Sequence, residues 1–151
     1  MIRIFTPSDM DRILEIEAQA FPKSPYNRRL FMSLYQSYPS TFLVYREEEI
    51  LGYLVYTPKG HIISLAVHPR HRRRGIGTQL VREVFRNSTG ELIWVEVRET
   101  NTGAQAFYEK LAFLKKGVIP RYYWTEDAYI MVRWSLKKEL PSELSGSRGF
   151  P

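Results

Sequence analysis

The chain contains no cysteine. That absence excludes a disulfide scaffold, a zinc–cysteine site and a cysteine nucleophile. Histidine is scarce as well, with three copies among 151 residues, so a multi-histidine metal site is disfavoured and no metal is expected. No run approaches the roughly 18 apolar residues that a membrane helix needs. The opening Met1-Ile2-Arg3-Ile4-Phe5-Thr6-Pro7-Ser8-Asp9 has no basic-then-apolar signal pattern. The expected compartment is the cytosol, with no membrane partner. Against these absences stands an ordinary globular composition, 44% hydrophobic and 14% aromatic, which excludes wholesale disorder. The length predicts a single domain over residues 1–136, followed by a loose tail over 137–151.

Net charge is +6, but Arg70, Arg72, Arg73 and Arg74 fall within five positions, and the remainder of the chain carries only +2. A local positive spot fits a small phosphorylated ligand better than a long nucleic acid.

Periodicity predicts the order β-α-α-β-β-β-α-β-α-β-β, an α/β domain of the α+β type with a mixed sheet. Ile2 to Phe5 begins it. Thr6 reads as a helix cap, with Pro7 in the first helical position and an apolar stripe of Ile13, Ile16 and Ala20. Two prolines in Phe21-Pro22-Lys23-Ser24-Pro25-Tyr26 break that helix, and Asn27 caps a second with Leu30, Phe31, Leu34 and Tyr35 on one face. Phe42–Arg46 and Ile50–Thr57 flank the acidic turn Glu47-Glu48-Glu49 as a hairpin. Ile62–Val67 is apolar on both faces and reads as a central strand. A third helix starts near Gly75, a second central strand spans Leu92–Val97, and Asn101 caps a fourth helix bearing Ala104, Phe107, Tyr108 and Leu111. Closing strands lie near Leu114–Ile119 and Ala128–Leu136.

Between a buried strand and an amphipathic helix stands Arg72-Arg73-Arg74-Gly75-Ile76-Gly77-Thr78. The first amides of a helix lack internal partners and sit at the positive end of its dipole. Glycines let the main chain approach a phosphate, and arginines add charge-assisted bonds. The loop is neither a dinucleotide fingerprint, since it lacks the third glycine, nor a P-loop, since no Gly-Lys-Ser/Thr ends it. A solvated basic turn is the plain alternative.

Val67-His68-Pro69 followed by Arg72-x-x-Gly75-x-Gly77-Thr78 resembles the acetyl-coenzyme A loop of the GCN5-related N-acetyltransferases (GNAT). Trp94-Val95-Glu96-Val97-Arg98, then Asn101, Ala104 and Phe107-Tyr108-Glu109-Lys110-Leu111-Ala112-Phe113, resembles that family's second half. The likeness covers roughly residues 1–136. It is nearest to the ribosomal-protein-alanine and protein N-terminal acetyltransferases, where Trp-x-Glu-Val-Arg, a late Arg-Tyr-Tyr and a Phe-Pro before the second helix occur together.

The resemblance implies acetyl-CoA as cofactor. Leu65, Ala66 and Val67 would offer backbone groups to the pantetheine arm, with the Leu65 amide donating to the thioester carbonyl. Arg72, Arg73, Arg74, Gly75, Ile76, Gly77 and Thr78 would hold the pyrophosphate, and Asn101 and Tyr108 would touch the cofactor. Ala112 stands where the family usually has glycine. A left-handed alanine costs about 1 kcal/mol, so the end of the fourth helix is expected to differ locally.

Acetyl transfer to an amine needs a neutral amine, a polarised carbonyl and a protonated leaving thiolate. At neutral pH about a tenth of an α-amine is unprotonated, against well under a thousandth of a lysine, so a base matters for both and most for lysine. Glu96 is a carboxylate in an otherwise apolar strand, costly to bury unless solvated or paired. Its bland alternative is a partner for Arg98 or a loop arginine. The resemblance makes it the general base and makes Tyr108 the acid for the thiolate, against a mere packing tyrosine. Alternation places His61 on the face of Leu65, and several relatives carry a water-linked base there, although a histidine at a strand start is often only an edge residue. His68 and His71 flank the turn and read as surface or cofactor-adjacent groups.

Phe21, Pro22 and Tyr26, with Tyr122 and Tyr123 in Arg121-Tyr122-Tyr123-Trp124, are the acceptor-side candidates. In N-terminal acetyltransferases these two places pinch the first residues of a peptide. Ordinary loop packing is the alternative. The expected acceptor is therefore a protein or peptide N-terminus, a ribosomal protein among the options, met by a monomer or homodimer through direct attack in a ternary complex. Lysine or polyamine acetylation is the rival enzyme reading. A nucleic-acid-binding protein is the remote one, and it leaves Glu96 and Tyr108 without a purpose.

Overall fold

The computed structural model describes residues 1–135, so the expected tail over 137–151 lies outside the described residues. Strand β1 (Ile2–Ile4) leads into a 3-10 turn at Pro7–Asp9 and helix α1 (Met10–Ala20). Helix α2 (Arg28–Ser37) follows. Next come β2 (Phe42–Arg46), β3 (Ile50–Tyr56) and β4 (His61–Val67), then a second 3-10 turn at Pro69–His71 and α3 (Ile76–Asn87). The chain continues as β5 (Leu92–Arg98), α4 (Thr102–Lys110), β6 (Leu114–Ile119) and β7 (Ala128–Trp134). Apart from the two 3-10 turns, the order is the one expected. The strands run β1-β2-β3-β4-β5-β7-β6 in a seven-stranded sheet. The chain divides into two compact units, Met1–Pro58 with Ile62–Val84, and Lys59–His61 with the chain from Phe85 on.

In the first unit β1, β2, β3 and β4 pair antiparallel in sequence. The turn before α1 forms because Asp9 accepts the Thr6 amide at 2.8 Å and a bidentate pair from Arg3 at 2.9 Å, while its own amide bonds the Thr6 carbonyl. Met10, Ile13 and Ile16 place α1 against a core of Phe5, Phe31, Phe42 and Tyr53. Phe5 stacks on Phe42 at 4.1 Å, and Phe31 meets Tyr53 edge-on at 5.5 Å. Asn27 caps α2 by accepting the Leu30 amide at 2.9 Å. Two expectations shift here. Leu30 is exposed, while Phe31, with Leu34 and Tyr35, packs α2 on the core. Glu17 joins the buried stripe of α1, where an acid was not anticipated.

In the second unit β5 pairs with β7 and β7 with β6, both antiparallel. Ile93, Val95 and Val97 of β5 point into the core, so Leu92, Trp94, Glu96 and Arg98 share the other, half-exposed face. β5 is central in the sheet order, as expected, and its buried and half-exposed residues alternate. Buried Gln105 of α4 donates to the carbonyls of Arg98 and Glu99, which ties the helix to the end of β5.

The end of α4 corrects an expectation. Ala112 adopts φ +69°, the left-handed cap that a glycine would take. The Ala112 amide bonds the Glu109 carbonyl and the Phe113 amide bonds the Tyr108 carbonyl, both at 3.0 Å. This is a complete Schellman motif. Its apolar clasp is Phe113 against Tyr108, rings 5.0 Å apart, and that contact holds the alanine in place.

Candidate active site

The second unit collects the proton-transfer candidates. His61 Nε2 lies 2.7 Å from Glu96 Oε1. Glu96 thus pairs with neither of the partners weighed from sequence. Arg98 instead bonds Glu126 at 3.1 Å, and Glu126 also accepts from Thr100. Those bonds, the Thr100 hydroxyl first, lower the pKa of Glu126. The His61 ring stacks flat on Trp94, centroids 5.0 Å apart and planes 5° apart. The Trp94 amide bonds the Gly60 carbonyl at 3.0 Å, which fixes where His61 begins its strand. The Glu96 side chain keeps 15% of its exposure, which avoids the full penalty of a dry carboxylate.

Around this pair stand the tyrosines of the β6–β7 loop. The Tyr123 hydroxyl donates to the Glu96 carbonyl at 3.4 Å, and the Arg98 guanidinium lies 4.0 Å over its ring. Tyr122 packs edge-on against Tyr123 at 4.8 Å. Burial, then the negative charge of Glu96, raises the pKa of Tyr122. Left-handed backbone at Arg121 and Trp124 shapes the loop, and the Arg121 amide is held by Asp127 at 2.9 Å.

Tyr108 sits on α4 with its ring between Phe107 and Phe113. Burial, with a smaller contribution from Tyr123, pushes its pKa far above the ordinary 10. The shift favours its protonated form. Its hydroxyl makes no hydrogen bond among the described residues. Asn101, expected at the cofactor, uses its side chain to cap α4 by accepting the Ala104 amide at 3.0 Å.

The first unit carries the glycine-arginine turn. Leu65, Ala66 and Val67 end β4, paired with Leu54, Tyr53 and Gly52 of β3. The His68 side chain accepts the Arg70 amide at 3.1 Å and shapes the 3-10 turn. Arg73 and Gly75 take positive φ, +64° and +80°. Gln79 makes the first helical bond of α3, to the Gly75 carbonyl at 3.0 Å. The amides of Ile76, Gly77 and Thr78 precede it and have no helical acceptor. Nothing lies within 4 Å of a Cβ built on Gly75, so its glycine serves the turn's conformation and the open approach to those amides. Arg72 and Arg73 are exposed. Arg74 is occupied, bonding Glu47 at 2.8 Å and His71 at 3.0 Å. The acidic turn is thus partly neutralised by its neighbours, with Glu49 paired to Arg12 at 3.2 Å.

Of the acceptor-side residues in this unit, Phe21 and Tyr26 pack against the core cluster, and exposed Pro22 follows directly on Phe21. The Tyr26 amide bonds buried Glu17 at 2.9 Å. No motif announced Glu17. The available signal was its place one position after Ile16 on the apolar side of α1.

Residues 10–113 match the family model described as the acetyltransferase (GNAT) family. The chain belongs to the GNAT acetyltransferase family. It is 35% identical to an uncharacterized N-acetyltransferase of Methanocaldococcus jannaschii, over 88% of this chain and 90% of that one. It is 33% identical to the N-alpha-acetyltransferase RimI of Mycobacterium tuberculosis, over 87% of this chain and 90% of that one. Among solved structures, Ard1 from Thermoplasma volcanium superposes with a TM-score of 0.81 at 31% identity, covering 90% of this chain and 97% of that one. The protein is an acetyl-transferring enzyme that uses acetyl-CoA. The helix amides and arginines of the α3 turn fit the phosphates of that cofactor. No helix among the described residues is long and apolar enough to cross a membrane.

Proposed function

We propose that this GNAT enzyme acetylates the N-terminal α-amine of proteins or peptides, with ribosomal proteins among its acceptors. The observation that carries this reading is the His61–Glu96 pair at 2.7 Å beside Tyr122 and Tyr123. An α-amine needs a base of modest strength, and a histidine oriented by a carboxylate supplies one. The tyrosine loop offers hydroxyls suited to the backbone of an extended chain end. The relative named N-alpha-acetyltransferase RimI supports the same acceptor class.

Acetyl-CoA supplies an activated thioester when bound. Arg72, Arg73 and the amides of Ile76, Gly77 and Thr78 hold its pyrophosphate, with Arg74 adding charge from its place beside Glu47. Backbone groups of Leu65, Ala66 and Val67 align the arm, and Asn101 contacts it. Bound there, the cofactor's thioester would pass the acetyl group to the amine nitrogen and leave as a thiolate. His61 and Glu96 together would take the proton the nitrogen loses, and Tyr108 would give its hydroxyl proton to the sulfur. Both substrates are present at once, and no enzyme nucleophile intervenes. Acceptor contacts fall to Tyr122 and Tyr123 and, in the first unit, to Phe21, Pro22 and Tyr26.

The test is acetyl transfer to matched peptides read by mass spectrometry. Each peptide is offered with a free N-terminus, with a blocked one, and with its lysines replaced. Activity lost on blocking and kept without lysines is the expected result. Activity that follows the lysines overturns the reading.

A further inference from the structure

Glu17 is 2% exposed on α1, and the reaction described above does not use it. Its Oε2 accepts the Tyr26 amide at 2.9 Å, and its Oε1 accepts the Tyr53 hydroxyl. Tyr53, itself fully buried, is also hydrogen-bonded to Ser64 Oγ of β4 at 2.8 Å. The backbone carbonyl of Glu17 accepts the Phe21 amide at 2.8 Å. One residue therefore holds both ends of the Phe21–Tyr26 stretch between α1 and α2. The carbonyl fixes its start and the carboxylate fixes its end. No cation pairs with Glu17 among the described residues.

A buried carboxylate without a cation is an expensive way to fill space, and an apolar side chain of similar size would pack there more cheaply. What the carboxyl group offers is two acceptors aimed at donors from two different elements. The donor on one side belongs to the loop that carries Phe21, Pro22 and Tyr26. The donor on the other side belongs to the rigid core of the sheet. The group therefore ties the rigid β3 and β4 to the loop, within which the Ser24 amide also bonds the Phe21 carbonyl at 3.3 Å.

We propose that Glu17 is a positioning residue for the acceptor, acting by holding the Phe21–Tyr26 loop in its binding shape through Tyr53. The proposal rests on the reading of that loop as acceptor-side. Glutamine can replace the acid without losing either bond. Its amide oxygen takes the Tyr26 amide, its NH2 donates to the Tyr53 oxygen, and the Tyr53 hydroxyl donates to Ser64. Alanine loses both.

Steady-state kinetics of Glu17→Gln and Glu17→Ala on an N-terminal peptide, with exchange of the Tyr26 amide followed in each, test this. For Glu17→Ala the peptide KM is expected to rise about tenfold or more, with kcat and the acetyl-CoA KM within about threefold of wild type. Glu17→Gln is expected to match wild type in all three, and the Tyr26 amide to lose protection only in the alanine variant. Equal losses toward both substrates, an unchanged peptide KM in Glu17→Ala, or a glutamine variant as impaired as alanine each overturn the proposal. Should Glu17→Ala fail to fold, Tyr53→Phe replaces it, and an unchanged peptide KM there is equally fatal. If wild type acetylates no peptide N-terminus, the acceptor reading fails instead. The Tyr26 amide then decides whether Glu17 holds the loop, and unchanged exchange in the variants overturns that.

Discussion

Tyr108 separates chemistry from stability more cleanly than any other side chain here. Its ring is packed, but its hydroxyl bonds nothing among the described residues. Removing an unpartnered hydroxyl leaves stability within about 0.5 kcal/mol. Tyr108→Phe should therefore melt with wild type, while kcat falls by about 10²-fold for want of a thiolate acid. A fall in melting temperature alongside activity would mark Tyr108 as a packing residue. Two other acids carry opposite pH signs. Burial would raise the pKa of Asp9, but the Arg3 pair and the Thr6 bonds outweigh it and leave it below the ordinary 3.8. Asp9 therefore stabilises the fold above that value, and the contribution disappears as the pH drops through the lowered one. Burial raises Glu17 above its ordinary 4.5. Its contribution is present below 4.5 and is lost as pH rises through the raised value. Urea midpoints against pH should show Asp9→Asn losing the acid-side slope. Glu17→Gln should be relatively more stable than wild type near pH 7 than near pH 4.

The helix end at Ala112 and the strand start at Gly60 show how local backbone demands meet tertiary ones. Ala112 occupies a left-handed cap at φ +69° because the Tyr108–Phe113 clasp and two backbone bonds require it. Ala112→Gly relieves that strain and should raise stability by about 0.5–1 kcal/mol, seen as a higher urea midpoint at constant slope. No gain would mean that the clasp already compensates for the strain. Gly60 is the converse. Its φ is +119°, and a Cβ there would meet the Leu92 carbonyl at 2.6 Å. Gly60→Ala should cost at least about 2 kcal/mol. Because Gly60 precedes His61 and bonds Trp94, the same change should also cut kcat in whatever fraction remains folded. A kcat per folded molecule equal to wild type would show that His61 tolerates displacement.

Ligand linkage acts on the protein as a whole. Acetyl-CoA binds the folded chain and not the unfolded one, so at a hundred times its Kd it adds about 2.7 kcal/mol. For a chain of 151 residues that corresponds to a rise of roughly 5–10 °C in Tm. Calorimetry with and without acetyl-CoA measures it directly. The rise should shrink as salt is added, since the arginines of the α3 turn are exposed and screened. A shift that does not depend on salt would argue against a phosphate-dominated contact.

Periodicity and turn chemistry are local, and they were sufficient for the element order, for the Asn27 and Asn101 caps, and for the strands Phe42–Arg46 and Leu114–Ile119 with the bounds observed. The glycine-arginine turn was legible because a helix start with unpaired first amides is a feature that sequence order creates. Pairings across distance were not legible. That Glu96 meets His61, that Arg98 goes to Glu126 and Arg74 to Glu47, depends on strand register and loop closure, which bring together residues 27–35 positions apart. Glu17 remained hidden for the same reason. An acid beside an apolar stripe looks like a surface residue until a tyrosine 36 positions away and a loop amide supply its donors. Ala112 shows the limit of propensity itself, because packing of Phe113 on Tyr108 outweighs the strain of about 1 kcal/mol that a left-handed alanine carries.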